Sequence, residues 1–184
     1  TLLSTTVALV IGTLAAVRPN SLFDSLVSFV SLLGVTVPSF WLALLLIYLF
    51  SLRLGWLPTS GSGTWRHAVL PIIVLTWGPS GYLARVVRTT VFEQLSSPYL
   101  TTARAKGLGE AVLLIRHMLP NAIFPIITVA SAQFIGIANG AVIVETVFGW
   151  PGIGKLTLDA INNRDFPVLQ MIVFVIGIII VLTN

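Results

Sequence analysis

Residues 149–155 read Gly-Trp-Pro-Gly-Ile-Gly-Lys and fill the first seven places of a phosphate-binding loop. In such a loop glycines let backbone N–H groups cradle phosphates, and the lysine reaches them. The apolar residues 141–148 stand where the preceding strand would be. Three features count against nucleotide chemistry. The eighth place is Leu156, which has no hydroxyl to hold magnesium. Pro151 removes one N–H from the cradle. No second α/β region completes a nucleotide site. The better reading is a turn-rich segment: Phe148 and Trp150 are aromatics suited to a membrane interface, the glycines and Pro151 bend the chain, and residues 156–161 form a short returning helix. The other makings of a catalytic centre are missing. The chain has no cysteine, so disulfides and thiolate metal sites are excluded. Its two histidines, His67 and His117, lie far apart in sequence, so no metal site and no resident cofactor are expected.

A second stretch has mechanical punctuation. Residues 93–120 read EQLSSPYLTTARAKGLGEAVLLIRHMLP. Ser97 is a suitable N-cap, Pro98 fits a first helical turn, Tyr99 and the residues up to Lys106 give two turns, and Gly107 suits the left-handed C′ position. Tyr99 and Ala103, four apart, share a face with Thr102 and Lys106 beside it. After Gly109 a second helical run leads onward. Two turns of helix do not hold in water unaided, so this one must dock. Its own membrane domain and a partner subunit both remain open as the surface it docks on.

The elements that position these stretches follow from composition. Of 184 residues, 56% are hydrophobic and only 9% charged, so the solvent for most of the chain is lipid. The net charge is +4, but the ten basic residues are scattered among apolar runs and form no stripe for nucleic acid. Crossing a bilayer takes about 20 apolar residues. Five runs qualify: residues 2–17, 25–50 with a kink at Pro38, 71–92 starting at Pro71 with a bend at Gly78 and Pro79, 121–144, and a last run from Pro167 capped by Asp165. A soluble helical core would need polar faces, and residues 41–50 and 171–182 have none. The chain opens on Thr1 and stops at Asn184 inside an apolar run, which reads as a fragment.

Five crossings alternate the connections. One side holds six cations (Arg18, Arg85, Arg88, Arg104, Lys106, Arg116) and the other four (Arg53, Arg66, Lys155, Arg164), which puts the Ala103 region in the cytoplasm. Arg85 and Arg88 lie about 21 and 26 Å along their helix from Pro71 and read as surface anchors. In lipid, helix contacts favour small and occasional polar residues. Ala132, Gln133, Gly136 and Gly140 share a face with Asn139 nearby, as a packing surface or a pathway wall. Gly12 and Ala16 form a weaker small pair, and Glu145 is either a gate contact or an interfacial carboxylate.

The second stretch resembles the cytoplasmic signature of membrane subunits of binding-protein-dependent ABC importers, E-A-A, three residues, G, nine residues, I-x-L-P. With its glycine set on Gly107, only Ala103, Gly107, Leu119 and Pro120 match, and His117 replaces isoleucine. The branch handling dipeptides, oligopeptides and nickel is closer: Tyr99, Thr102 to Leu108, Arg116, His117, Asn121 and Pro125 all fit. Pro38-Ser39-Phe40, Glu145 to Gly154 (ETVFGWPGIG) and Arg164-Asp165-Phe166-Pro167 extend the likeness across the chain.

The resemblance implies an all-α integral membrane protein, a polytopic helical bundle of the type I ABC importer permease (MetI-like) fold with about five of six membrane helices present. It implies one permease domain over 1–184, with a cytoplasmic coupling region at 93–119 and an external gate region at 145–166. Tyr99, Thr102, Ala103, Arg104, Ala105, Lys106 and Gly107 would meet the ATPase. Gln133, Gly136, Asn139 and Gly140 would serve the pathway or helix packing. Glu145, Phe148, Trp150, Pro151, Gly152, Gly154 and Asp165 would form the external gate. Implied partners are two ATP-binding subunits, a second similar or identical permease, an external substrate-binding protein and the lipid bilayer of a bacterial or archaeal cytoplasmic membrane. ATP and magnesium would sit on the partner, so this chain would not itself be an enzyme. Peptides are the expected cargo, with nickel or glutathione as alternatives of the same branch. A secondary transporter or channel is the competitor from another class, and it is disfavoured because every charged residue lies near an expected helix end or connection. A non-transporting membrane scaffold is a further competitor.

Overall fold

The computed structural model describes the backbone of residues 2–183, and their side chains except at 134–135, 137–140 and 182–183. Among the described residues every regular element is helical. The order is α1 (Leu2–Val17), α2 (Leu22–Thr36), α3 (Ser39–Leu46), α4 (Trp65–Leu95), α5 (Pro98–Ala105), α6 (Glu110–Val112), α7 (Leu119–Phe148), α8 (Ile153–Asn162) and α9 (Phe166–Thr183). Wider π-helical turns extend α3 over Ile47–Arg53 and join α6 to α7 over Leu113–Met118. The second of these lies just ahead of Pro120, which has no N–H to give the preceding turn.

The five expected runs all become helices, with shifted ends. The first matches α1. The second breaks at Val37–Pro38, so α2 and α3 are separate helices. The third starts earlier than expected and carries Pro71 inside rather than at its first position. The entry is fixed by Thr64 and His67 instead: the Thr64 N–H donates to His67 Nδ1 at 3.2 Å. The fourth belongs to one helical stretch running from Glu110 through Pro125 to Phe148. By length and composition α4 and residues 110–133 can each cross a membrane, α2 and α3 can do so only as a broken pair, and α1 and Phe166–Val181 are apolar but shorter.

The chain forms two compact units. The first comprises residues 1–36 and 79–132, the second 37–78 and 133–184. One boundary falls at the break before Pro38 and another at Gly78–Pro79, through which α4 stays helical.

In the first unit α1 presents a stripe of small residues, Ser4, Ala8, Gly12 and Ala16, all buried. A Cβ on Gly12 would lie 2.7 Å from the Ala84 carbonyl oxygen, so only glycine lets α1 approach α4 this closely. A Cβ on Gly81 would lie 2.8 Å from the Ser31 carbonyl oxygen, which fixes α2 against α4 the same way. Leu83, Val87, Val91, Leu100, Met118 and Ile126 complete this unit's core. The core of the second unit is Ala43, Leu70, Val74, Val144 and Phe148.

Candidate functional site

The short helix α5 is held at both of its ends and by the buried side chain of Leu100. Its C-terminus is a Schellman turn: Gly107 has φ +79°, its N–H donates to the Arg104 carbonyl at 2.9 Å, and the Leu108 N–H donates to the Ala103 carbonyl at 3.4 Å. This is the stop expected from Gly107. The N-terminus differs. Ser97 occupies the N-cap position and Pro98 opens the helix, but the Ser97 hydroxyl donates backwards to the Gln94 carbonyl and makes no cap bond to α5. It closes α4 instead. The Tyr99 hydroxyl donates to Gln94 Oε1 at 2.8 Å and ties the first turn to the same segment. Arg104 bridges to Glu110 at 3.1 Å and also donates to the Leu95 carbonyl at 3.4 Å.

Leu100 anchors the helix. It is fully buried in the first unit's core, with Ala103 packed beside it. The helix therefore docks on its own unit through Leu100 and Ala103. Tyr99, Thr102, Arg104, Ala105 and Lys106 remain exposed, as does Gly107, which has no described atom within 4 Å of a Cβ built on it. Ala103, expected beside Tyr99 on the contact surface, is half-buried, because the inward face is set by where the rest of the unit lies.

The turn at residues 149–152 is built from one carboxylate and its surrounding glycines. α7 ends in a second Schellman turn, with Gly149 at φ +62°, its N–H donating to the Thr146 carbonyl at 3.3 Å and the Trp150 N–H to the Glu145 carbonyl at 2.8 Å. The Glu145 side chain then reaches across to α8, where Oε2 accepts the Lys155 N–H at 2.9 Å. Gly152 is the N-cap residue of α8 and has no side chain to offer, so Glu145 satisfies one of the first-turn N–H groups from another helix. A Cβ on Gly152 would overlap that carboxylate, and one on Gly154 would lie 2.6 Å from Val142 Cα. Phe148, expected at an interface, is a core residue of the second unit, and its carbonyl accepts the Gly61 N–H at 2.8 Å. The apolar residues ahead of this turn are helical rather than a strand, which removes the remaining structural support for a phosphate-binding loop. α8 ends in a third Schellman turn with Arg164 at φ 55°, and Asp165 then caps α9 by accepting the Val168 N–H at 3.3 Å. Trp150 is half-buried and Pro151 exposed.

A family model described as "Binding-protein-dependent transport system inner membrane component" matches residues 8–184. The chain belongs to this family. It is 39% identical over 173 residues to the glutathione transport system permease protein GsiC of Escherichia coli, covering 94% of this chain and 56% of that one. It is also 39% identical over 201 residues to the dipeptide transport system permease protein DppB of Alkalihalophilus pseudofirmus, covering 94% of this chain and 60% of the relative. The chain thus spans a little over half the length of these curated relatives. Among solved structures, a chain of the inward-facing MetNI methionine ABC transporter superposes with a TM-score of 0.72 at 18% identity, covering 99% of this chain and 85% of that one. That likeness establishes the type I importer permease fold.

In this inner membrane component the expected pathway residues are only partly described. Gln133 is half-buried, and Gly136 is exposed with nothing within 4 Å of a Cβ built on it. The placements of Asn139 and Gly140 within α7 lie outside the described side chains.

Sequence reading missed an ion pair. Asp24, buried in the first turn of α2, is gripped by Arg88 of α4: Nε meets Oδ1 and Nη2 donates to Oδ2 at 2.7 Å. Arg88 is therefore a partner of α2, in addition to any anchoring at the surface. The same carboxylate accepts the Asn20 N–H at 3.0 Å, while Ser21 Oγ accepts the Asp24 N–H at 3.1 Å. Ser21-x-x-Asp24 has the spacing of a capping box, a local signal that could have found this helix start. Its partner 64 residues away has no such signal.

Proposed function

We propose that this chain is the transmembrane subunit of an ATP-driven importer that passes small peptides across the bacterial cytoplasmic membrane by alternating access. The observation that carries the reading is α5, a two-turn helix rooted in one unit's core by Leu100, with Tyr99, Thr102 and Lys106 left exposed on its outer side. A knob held this way transmits a push from whatever seats on it. Membership in a binding-protein-dependent transport family supports an ATPase as that partner. Two ATP-binding subunits seat on α5 and its counterpart in a second, identical or homologous permease, and an external binding protein delivers cargo. ATP and magnesium bind the ATPase partner, where hydrolysis occurs. The segment from Glu145 to Asp165 serves as the external gate, with Glu145 coupling α7 to α8. Peptide cargo is favoured because the relatives are named for dipeptides and for glutathione, itself a peptide.

The test is Gly107→Pro in the assembled transporter. Proline cannot adopt φ +79° and lacks the N–H given to Arg104, so the Schellman turn is lost. ATP-driven uptake of a dipeptide should fall to background while the subunits still assemble, and undiminished uptake would remove the coupling role. Uptake of dipeptides, longer peptides, glutathione and nickel complexes with the cognate binding protein decides the cargo.

A further inference from the structure

The helices α2 and α4 run antiparallel in the first unit and touch at two points. One is the Asp24–Arg88 pair, and the other is the backbone approach of Ser31 to Gly81. Between these points the small Ala84 leaves a groove of about 480 Å³ whose lining includes Ser28, Phe29, Leu32, Arg85 and Thr89. Arg88 is committed to Asp24. Arg85, one turn away on the same helix, is exposed, and no ion pair or hydrogen bond joins it to another described residue. We propose that this groove binds the phosphate head of an anionic phospholipid, with Arg85 as the cation and the Ser28 and Thr89 hydroxyls as donors.

The depth fits that ligand. Asp24 lies in the first turn of α2, where the chain has just turned at Asn20 and Ser21. Ser28 lies one turn further, about 6 Å along the helix, and so stays close to that connection. Phe29 and Leu32 are 59% and 50% exposed and flank the groove with surface suited to acyl chains, for which a soluble anion has no use. An arginine facing lipid without a carboxylate snorkels toward phosphate. The groove lies at the end of α4 that leads into α5, so a bound lipid would brace the helices from which the coupling knob projects.

The experiment uses the full-length permease in its assembled complex, purified with phosphatidylglycerol or phosphatidylcholine, and reads retained lipid by native mass spectrometry. Arg85→Gln should retain about fivefold less phosphatidylglycerol, the equivalent of about 1 kcal/mol per cation near a membrane surface, with phosphatidylcholine unchanged and Arg85→Lys close to wild type. Ser28→Phe fills the groove without changing charge and should lower phosphatidylglycerol retention too. It carries the test if Arg85→Gln does not fold. Equal retention in the variants would overturn the proposal. Displacement of the lipid by inorganic phosphate would assign the site to a soluble anion, and loss of permease pairing in Arg85→Gln would assign it to a subunit contact. Either result overturns the lipid assignment.

Discussion

Asp24 closes the first turn of α2 and holds Arg88 of α4 with the same carboxylate. Removing its charge leaves a cation whose side chain is only 30% exposed. Breaking a buried pair costs about 3–5 kcal/mol, and the residual exposure of Arg88 places Asp24→Asn near the lower end of that range. Thermal unfolding of the detergent-solubilised protein checks this. The exchange of Asp24→Arg with Arg88→Asp should recover part of the loss and exceed either single variant, because the pairing returns while the bond to Asn20 does not. A wild-type melting point for Asp24→Asn would remove the pair from the account. Local spacing carries the signal for the glycine stop at Gly107 and the Asp165 cap, and also for the cap made by Ser21 and Asp24. Pairing across 64 residues has no local signature, and Arg88 by itself looks like any interfacial arginine.

Among the elements, α5 and α8 are the short helices whose positions depend on a neighbour. For α5 two substitutions should separate anchoring from contact. Leu100→Ala empties a fully buried site and should cost about 2–5 kcal/mol, read as a lower melting temperature. Tyr99→Ala, at 38% exposure, gives up the hydroxyl bond to Gln94 and should cost no more than about 1 kcal/mol, yet reduce ATP-driven uptake in the assembled complex. If the two variants behave alike, the division of the helix into an anchored and a contacting face is wrong. For α8 the two glycines should differ in degree. Gly154→Ala pushes a methyl into the backbone of α7 at Val142 and should destabilise by about 1–3 kcal/mol, whereas Gly152→Ala displaces only the movable Glu145 carboxylate and should cost less. The reverse order in melting temperatures would show that Glu145 is the firmer contact. That α5 exists was legible from Ser97, Pro98 and Gly107. Which of its faces points inward was not, since Leu100 and Tyr99 are both plausible knobs until the surrounding helices are in place.

For the whole molecule the sidedness of the membrane segments is directly testable, because the chain has no native cysteine. Thr102 and Asp159 are both exposed and make accessible probes. A membrane-impermeant maleimide should label Thr102→Cys only from the cytoplasmic face and Asp159→Cys only from outside. The opposite pattern would invert the topology and with it the assignment of α5 to an ATPase. Composition and turn chemistry are local properties, so the amino-acid order alone was enough to read a helical membrane protein, its apolar runs, and a stopped two-turn helix at Gly107. The family signature was legible for the same reason. Folding in three dimensions was needed to learn that α5 hangs on Leu100, that Phe148 is core, that Glu145 caps a helix it does not belong to, and that Arg88 belongs to Asp24. Each of these depends on which helix faces come together, and contact between distant segments is set by packing that no short stretch of chain encodes.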